Sequence, residues 1–403
     1  MKWVNIMINR EEYIDKLIRF KDKDLIKVVT GVRRCGKSTL FDLYEKYLLS
    51  TGIDKKQIIR INLEDLEYSY LNDYLKLYHY IMDKLDMRKK YYIFIDEVQN
   101  IDKWEKAVDS LYIKKNLDVY ITGSNAYLLS GELATLLSGR YIEIKMLPLS
   151  FKEFVSADKN NTSVEKLYSK YISFGSFPYV NNFDNIDDVE IYLKNIYDSI
   201  ILKDIVYRRK ISDMQMLKSI VNFMMDNIGI LCSTNKIADS MTSYGRSISV
   251  HTVENYLDAL IESFMFYKIT RYDIKSKTYL KTGDKYYMAD LGLRYILLGR
   301  KNGDKGHILE NVVFLELKRR GYDIYIGKVG EYEIDFVAIN SKGIEYYQVS
   351  ETVKDENTLD KELKPLQSIR DHYPKYLLTM DINPETSYDG IRKINVLDWL
   401  LDK

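Results

Sequence analysis

The first 145 residues alternate between short apolar runs and segments in which apolar residues recur every three or four positions. The runs, such as Tyr-Tyr-Ile-Phe-Ile at residues 91–95, are typical of strands buried in a parallel sheet, and the spaced pattern is typical of amphipathic helices. This alternation predicts an α/β sandwich with a largely parallel sheet. The predicted strands cover residues 25–29, 57–63, 91–95, 117–122 and 141–145.

A glycine-rich loop joins the first predicted strand to the first long helical pattern. Its sequence, GVRRCGKST, has the spacing G-x-x-x-x-G-K-[ST] of a phosphate-binding loop between a strand and a helix. Backbone N–H groups and the helix N-terminus then converge on a polyphosphate. We expect Lys37 to reach the β and γ phosphates and Ser38 to ligate Mg²⁺. The predicted ATP site comprises Gly31, Val32, Arg33, Arg34, Cys35, Gly36, Lys37, Ser38 and Thr39.

Acidic and polar residues follow the next strands of the predicted sheet. The third strand ends in Asp96 and Glu97, and the fourth is followed by Ser124 and Asn125. Asp96 is placed to orient Mg²⁺ and Glu97 to polarise the attacking water, which predicts hydrolysis as well as binding. Ser124 or Asn125 is placed to sense the γ phosphate from the neighbouring strand end.

An arginine lies between a predicted helix over residues 128–137 and the fifth strand. At this position Arg140 can reach the nucleotide of a neighbouring subunit. The alternative is a surface arginine that closes the C-terminus of the helix, where a cation is favourable.

The motifs above and the run at residues 121–154 resemble a prokaryotic branch of the AAA+ ATPases whose members also carry a C-terminal domain of unknown function. The resemblance implies that Ser124 or Asn125 is sensor 1 and that Arg140 is an arginine finger. It also implies that Asn62 restrains the catalytic glutamate, and that Pro178 packs on the adenine from a helical lid. For Pro178, a simple helix-breaking turn is the alternative.

The segment from residue 214 to about residue 289 has the order helix, short helix, helix and two β-rich runs, which predicts a winged helix. The third helix presents an acidic line, Glu254, Asp258 and Glu262, which opposes insertion into a DNA groove. The wing is basic, so we expect either DNA contact through the wing or protein contacts. A third possibility is a domain that only packs against the rest of the protein. Its basic residues are Lys268, Arg271, Lys275, Lys277, Lys281 and Lys285.

Residues 306–380 begin with a helix that carries Glu310 and continue with strands, one of which carries Asp335. This order resembles the PD-(D/E)xK nuclease fold, and the resemblance implies that Glu310 and Asp335 are its helix and strand acids. Where that pattern has Glu-x-Lys, this chain has Gln348 and, two residues on, Ser350. An amide is a weak metal ligand, and the lysine that would assist the chemistry is replaced. We expect an inactive domain, with a residual metal site at Glu310, Asp335 and Gln348 as the alternative.

Composition limits the partners and the compartment. With 60 basic and 59 acidic residues, the chain has no overall field toward nucleic acid or lipid, so such binding requires a local patch. Two cysteines cannot form a disulfide framework, and no apolar run approaches a membrane helix or a signal peptide core. We expect a cytoplasmic protein without a membrane partner.

The sequence thus predicts four segments: an AAA+ core at 1–149, a helical lid and connector at 150–211, a winged helix at 212–300, and a degenerate restriction-endonuclease-like α/β domain at 301–403. The leading hypothesis is a Mg²⁺-dependent ATPase whose conformational switch acts on nucleic acid or on a DNA-associated complex. The alternative is a nucleotide-gated scaffold for protein partners that does not bind DNA. A homo-oligomer is compatible with both.

Overall fold

The computed structural model describes residues 8–126, 139–299, 304–382 and 386–403. The chain divides into two units, one formed by the residues up to Pro148 with Glu262–Phe264, the other by Leu149–Ile261 with Met265–Lys403. No helix within the described ranges is long and apolar enough to cross a bilayer.

The first unit is a five-stranded parallel sheet with helices between the strands, in the strand order β2-β3-β4-β1-β5. This confirms the α/β fold with a parallel sheet. Its elements are α1 (Glu11–Phe20), β1 (Ile26–Thr30), α2 (Lys37–Ser50), β2 (Ile58–Asn62), α3 (Tyr74–Met82), β3 (Tyr91–Asp96), α4 (Trp104–Tyr112), β4 (Leu117–Gly123) and β5 (Tyr141–Lys145).

The apolar strands place this sheet at the centre of the unit. Every residue of β1 and β3 is buried. On one face Ile93 and Ile121 share a cluster with residues of the helices, including Leu77 of α3 and Leu111 of α4. Each fully buried aliphatic side chain of this kind contributes about 1.5–3 kcal/mol relative to an exposed one. Because the strands are parallel, the residues that follow β1, β3 and β4 lie at one edge.

The second unit begins with helices and ends with strands and helices. The helical part contains α5 (Phe151–Ser156), α6 (Val164–Phe174), α7 (Ile186–Ser199), a π-helical turn (Ile200–Tyr207), α8 (Met214–Asp226), α9 (Thr234–Ser243) and α10 (Val250–Glu262). The remainder contains β6 (Phe266–Asp273), β7 (Thr278–Met288), α11 (Leu291–Leu298), α12 (Lys305–Arg319), β8 (Asp323–Val329), β9 (Tyr332–Asn340), β10 (Gly343–Ser350), α13 (Glu356–Gln367), β11 (Lys375–Thr379), β12 (Thr386–Tyr388), β13 (Ile391–Asn395) and α14 (Val396–Leu400).

Eight strands of this unit form one mixed sheet in the order β12-β13-β11-β10-β9-β8-β6-β7. β6 and β7 are an antiparallel hairpin, and β6 runs parallel to β8, with Arg271 opposite Ile326. The hairpin that was expected to be a wing is therefore the edge of the sheet that also contains β9 and β10. α12 packs on β7, β8, β9 and β10. The winged-helix and nuclease-like assignments stay predictions.

Candidate functional site

The loop between β1 and α2 has the backbone that a phosphate-binding loop requires. Gly31 has φ 154°, and a Cβ atom there would lie 2.2 Å from the carbonyl oxygen of Met146, so only glycine fits. Gly36 has φ 104° and directly precedes the first residue of α2. Since glycine has no side chain to cap the helix, the first N–H groups of α2 are available to an anion.

Lys37 is buried and lies between the loop and Glu97. Its Nζ donates to the carbonyl oxygen of Gly31 at 3.0 Å and lies 3.4 Å from Oε1 of Glu97. Burial disfavours the charged ammonium, but the carboxylates of Glu97 and Asp96 together with Cys35 outweigh burial, and the pKa of Lys37 is raised. Burial likewise acts to raise the pKa of Glu97, but Lys37, the hydrogen bond from Gln99 and Arg33 together outweigh burial, and the pKa is lowered. The site therefore holds a charged lysine and an ionised carboxylate.

Asp96 is held by a residue that the sequence did not single out, Thr122 at the end of β4. The Thr122 hydroxyl donates to Oδ1 of Asp96 and accepts from the backbone N–H of Glu97 at 2.9 Å. Thr122 thus fixes both acids at the end of β3. Only the pairing of β3 with β4 reveals this, because a threonine inside a strand has no signal of its own in the sequence.

Asp96 also carries an oxygen suited to a metal. Its Oδ2 is buried and accepts no hydrogen bond from the residues that the structure describes, with Nη2 of Arg60 3.6 Å away. Burial raises the pKa of Asp96, and the hydroxyls of Ser38 and Thr122 partly offset this effect. Mg²⁺ prefers one or two carboxylates and hydroxyls together with phosphate oxygens. An unsatisfied carboxylate oxygen close to the Ser38 hydroxyl fits that requirement.

A second missed residue, Gln99, restrains the candidate base. Its Nε2 donates to Oε2 of Glu97 and to the hydroxyl of Ser124 at 3.3 Å. Glu97 has φ 54° and ψ 51°, a left-handed turn that starts the short 3-10 helix containing Gln99. Asn62, the residue expected to restrain Glu97, instead accepts from the N–H of Glu64 at 3.1 Å.

The other predicted loop and sensor residues take different positions. Ser124 and Asn125 are buried directly after β4. Arg33 forms an ion pair with Glu64 at 2.8 Å, whereas Arg34 and Thr39 are exposed. Burial raises the pKa of the Cys35 thiol, which keeps it neutral.

Arg140 and Pro178 are the two predicted site residues outside the loop and the strand ends. Arg140 precedes β5 at the edge of the sheet opposite the loop, and its Nη1 pairs with Asp109. A role at a neighbouring subunit stays a prediction, and the helix predicted at 128–137 lies outside the described residues. Pro178 begins a short 3-10 helix in the second unit, Pro178–Asn182, and its contact with adenine also stays a prediction.

The structure corrects one part of the predicted basic wing. Lys285 is buried, not exposed, and its Nζ lies 3.0 Å from Oε1 of Glu310. Lys275 and Lys277 are exposed at the tip of the hairpin, while the side chain of Lys281 lies outside what the structure describes.

The predicted nuclease-like residues come together, but without a metal-binding arrangement. The N–H of Asp335 donates to Oε1 of Gln348 at 3.4 Å, and Nε2 of Gln348 donates to Glu362 at 2.9 Å. Across the described ranges, no three acidic, histidine or cysteine side chains are grouped as a metal site.

Comparison with known proteins places this geometry in a family. Residues 23–155 match the family described as AAA domain, and residues 165–304 match a domain of unknown function, DUF8612. A Walker-type ATPase of Pyrococcus abyssi superposes with a TM-score of 0.51 at 14% identity, covering 72% of this chain and 95% of that one. This likeness shows the fold.

Two relatives match most of the chain. An uncharacterized protein of Haemophilus influenzae is 46% identical over 399 residues, covering 98% of this chain and 99% of that protein. An uncharacterized protein of Methanocaldococcus jannaschii is 33% identical over 388 residues, covering 90% and 82%. The chain therefore belongs to one family with these two proteins, a family whose N-terminal part is an AAA domain.

Proposed function

We propose that the protein binds ATP with Mg²⁺ and hydrolyses it. The observation that carries this proposal is the convergence of Lys37, Asp96 and Glu97 at the carboxyl edge of a parallel sheet, with Lys37 and Glu97 3.4 Å apart and all three buried. Ligands of open α/β sheets bind at this edge, where the strand order reverses. Here the reversal is at β1, which lies between β4 and β5.

Each residue has a role that follows from its position. Ser38 and Oδ2 of Asp96 would hold Mg²⁺, which would supply positive charge to the phosphate oxygens. When ATP binds, the Lys37 ammonium leaves the Glu97 carboxylate and contacts the β and γ phosphates. Glu97, released from Lys37 and still held by Gln99, accepts a proton from the attacking water.

Three further roles belong to this proposal. Ser124 or Asn125 contacts the γ phosphate. Arg140 reaches the nucleotide of a neighbouring copy in a homo-oligomer. Pro178 borders the adenine from the helical segment.

Nucleotide binding is tested by titrating a fluorescent ATP analogue with Mg²⁺ into Lys37→Met/Glu97→Gln. The two substitutions remove the buried ion pair together, because an unpaired Glu97 would cost about 3–5 kcal/mol of stability. Lys46→Met, an exposed lysine on the same helix α2, is the control. We expect the double variant to lose binding and the control to keep it. Equal binding by all proteins would contradict the proposal.

We further propose that ATP hydrolysis drives a switch that acts on DNA or a DNA-associated complex through the tip of the β6–β7 hairpin. The supporting observation is that Lys275 and Lys277 are exposed there. The competing function is a protein scaffold, which is favoured by the exposed acids Glu254 and Asp258 on α10. Lysines that contact phosphates give salt-dependent affinity, with a slope of about 0.9 per phosphate.

The experiment compares Lys275→Glu/Lys277→Glu with Lys361→Glu/Lys364→Glu, a pair of exposed lysines on α13 that changes net charge equally. DNA affinity is measured at two salt concentrations, and the ATPase rate with and without duplex or single-stranded DNA. We expect only the hairpin variant to lose DNA affinity. The affinity of this variant should also depend less steeply on salt concentration than that of the wild type. Hydrolysis that depends on Glu97 but ignores DNA would favour a protein partner.

A further inference from the structure

Lys285 on β7 is enclosed by acids from two other elements. Its Nζ lies 3.0 Å from Oε1 of Glu310 on α12 and 3.0 Å from Oε1 of Glu333 on β9, and its side chain is 5% exposed. The hydroxyl of Tyr287, two residues along β7 and on the same face, also donates to Glu310. The ammonium therefore has charge-assisted partners on both sides in a position without free access to water.

The acids around it need a positive charge. Glu310 is buried and Asp335 is half-buried, and the charge of Glu310 acts on the ionisation of Asp335. Two carboxylates that are close together and at least half-buried are unfavourable without a cation. Burial and Glu310 raise the pKa of Asp335, while Lys285 acts in the opposite direction. In a fold where a helix acid and a strand acid converge, a divalent cation is the usual source of that charge.

The space beside Glu310 is closed on its other side as well. Nδ1 of His307 lies 3.5 Å from Oε2 of Glu310. A Cβ atom added at Gly229 would lie 3.2 Å from the same oxygen, so the backbone of Gly229 borders it closely. These contacts narrow the space on one side of Glu310, and the Lys285 ammonium lies within ion-pair distance of its other oxygen. With the ammonium of Lys285 in place, these residues do not fit a divalent cation as well.

We propose that the ammonium of Lys285, which lies between Glu310 and Glu333, supplies the positive charge that Glu310 and the neighbouring Asp335 would otherwise need from a metal, so that the C-terminal acids hold a covalently attached cation in place of Mg²⁺ or Mn²⁺. The same contact fastens the β6–β7 hairpin to α12. Lys285 does not replace the catalytic lysine missing at Ser350. Burial opposes its charge, but Glu310, Asp335 and Glu333 outweigh burial and raise its pKa, so it stays protonated and cannot accept a proton from water.

The test measures Mn²⁺ binding by the full-length protein, from the electron paramagnetic resonance signal of free Mn²⁺. All proteins carry Asp96→Asn, which removes the metal oxygen of the nucleotide site. With Lys285 unchanged, the surrounding acids Glu310, Glu333 and Asp335 (the wild-type cluster) are expected to bind no Mn²⁺. Lys285→Met is expected to lose about 10²–10³-fold in its folding equilibrium constant without metal, because its acids lose their partner. Mn²⁺ at a hundred times its Kd should raise the folding equilibrium constant of Lys285→Met by about 100-fold.

Two further variants isolate the cause. Lys268→Met removes another lysine–carboxylate pair of the hairpin, that with Asp284 at 2.9 Å, and should show no dependence on Mn²⁺. Lys285→Met/Glu310→Gln removes one charge of each sign and should fold without metal and bind none. This variant shows whether the acids, and not a defect in packing, cause the loss of stability.

Two results would overturn the proposal. One is Mn²⁺ binding by the wild-type cluster that disappears in Asp335→Asn, since the position would then be open to metal. The other is Lys285→Met with the same stability, or the same insolubility, with and without Mn²⁺.

Discussion

Replacement of Glu97 by glutamine should separate ATP binding from hydrolysis. The Lys37 ammonium lies 3.4 Å from Oε1 of Glu97. At an effective dielectric constant of about 20, this distance corresponds to roughly 5 kcal/mol of attraction. Desolvation of both buried charges offsets most of it, which leaves on the order of 1–2 kcal/mol. ATP has to break this pair to engage Lys37.

Glu97→Gln removes that competition and also a negative charge close to the phosphates. We expect ATP to bind about 5- to 30-fold more tightly, which is the equivalent of 1–2 kcal/mol. Hydrolysis should fall about 10²–10⁴-fold, because an amide cannot accept the proton of water. Affinity is measured with a fluorescent ATP analogue in the presence of Mg²⁺, and hydrolysis by phosphate release.

Glu64→Gln is the matched control. Glu64 also pairs with a basic residue of the loop, Arg33, but its side chain is 41% exposed. An exposed pair contributes only about 0–1 kcal/mol, so this variant should change ATP affinity little and keep its hydrolysis rate. The reasoning is refuted if Glu97→Gln binds ATP no more tightly than Glu64→Gln, or if it retains the wild-type rate.

Three other changes test separate parts of the structure. Gln99→Leu removes a hydrogen bond that lowers the pKa of Glu97, so the acid limb of the kcat/KM profile should move to higher pH. Gly31→Ala should destabilise by about 1–3 kcal/mol more than Gly52→Ala in denaturant unfolding, since both have positive φ but only Gly31 faces a close carbonyl oxygen. Asp335 has a raised folded pKa, so stability falls as pH rises from about 3.9 toward that pKa, and Asp335→Asn should remove this slope in thermal unfolding.

Each of these has a contrary outcome. An unshifted pH profile in Gln99→Leu would show that its hydrogen bond does not tune Glu97. Equal losses of stability in Gly31→Ala and Gly52→Ala would show that the positive φ, and not the close carbonyl oxygen, causes the destabilisation. A stability slope that persists in Asp335→Asn would assign it to another group.

The sequence by itself was enough to propose the residues of the nucleotide site, because the parts of the proposed site are local. The phosphate loop is one contiguous motif, Gly31–Thr39, between a strand and a helix. Asp96, Ser124 and Asn125 sit at or just beyond strand ends, and in a parallel sheet all those ends share one edge. No long-range information is needed to bring them to one place.

The tertiary structure alone decided which side chains connect these parts. Thr122 is an ordinary strand residue until the pairing of β3 and β4 sets it beside Asp96. Gln99 contacts Glu97 because of a left-handed turn at Glu97. Neither contact can be predicted from the spacing or the composition of the sequence.

Lys285 shows the same limit most clearly. In the sequence it is one of several lysines in a hairpin, and it was expected on a basic surface. Whether a strand residue is exposed depends on what packs against its face, since successive side chains point to opposite sides. α12 covers the face that carries Lys285 and Tyr287, and the acid it brings, Glu310, turns a surface lysine into a buried one. The alternation was in the sequence, but the packing partner was not.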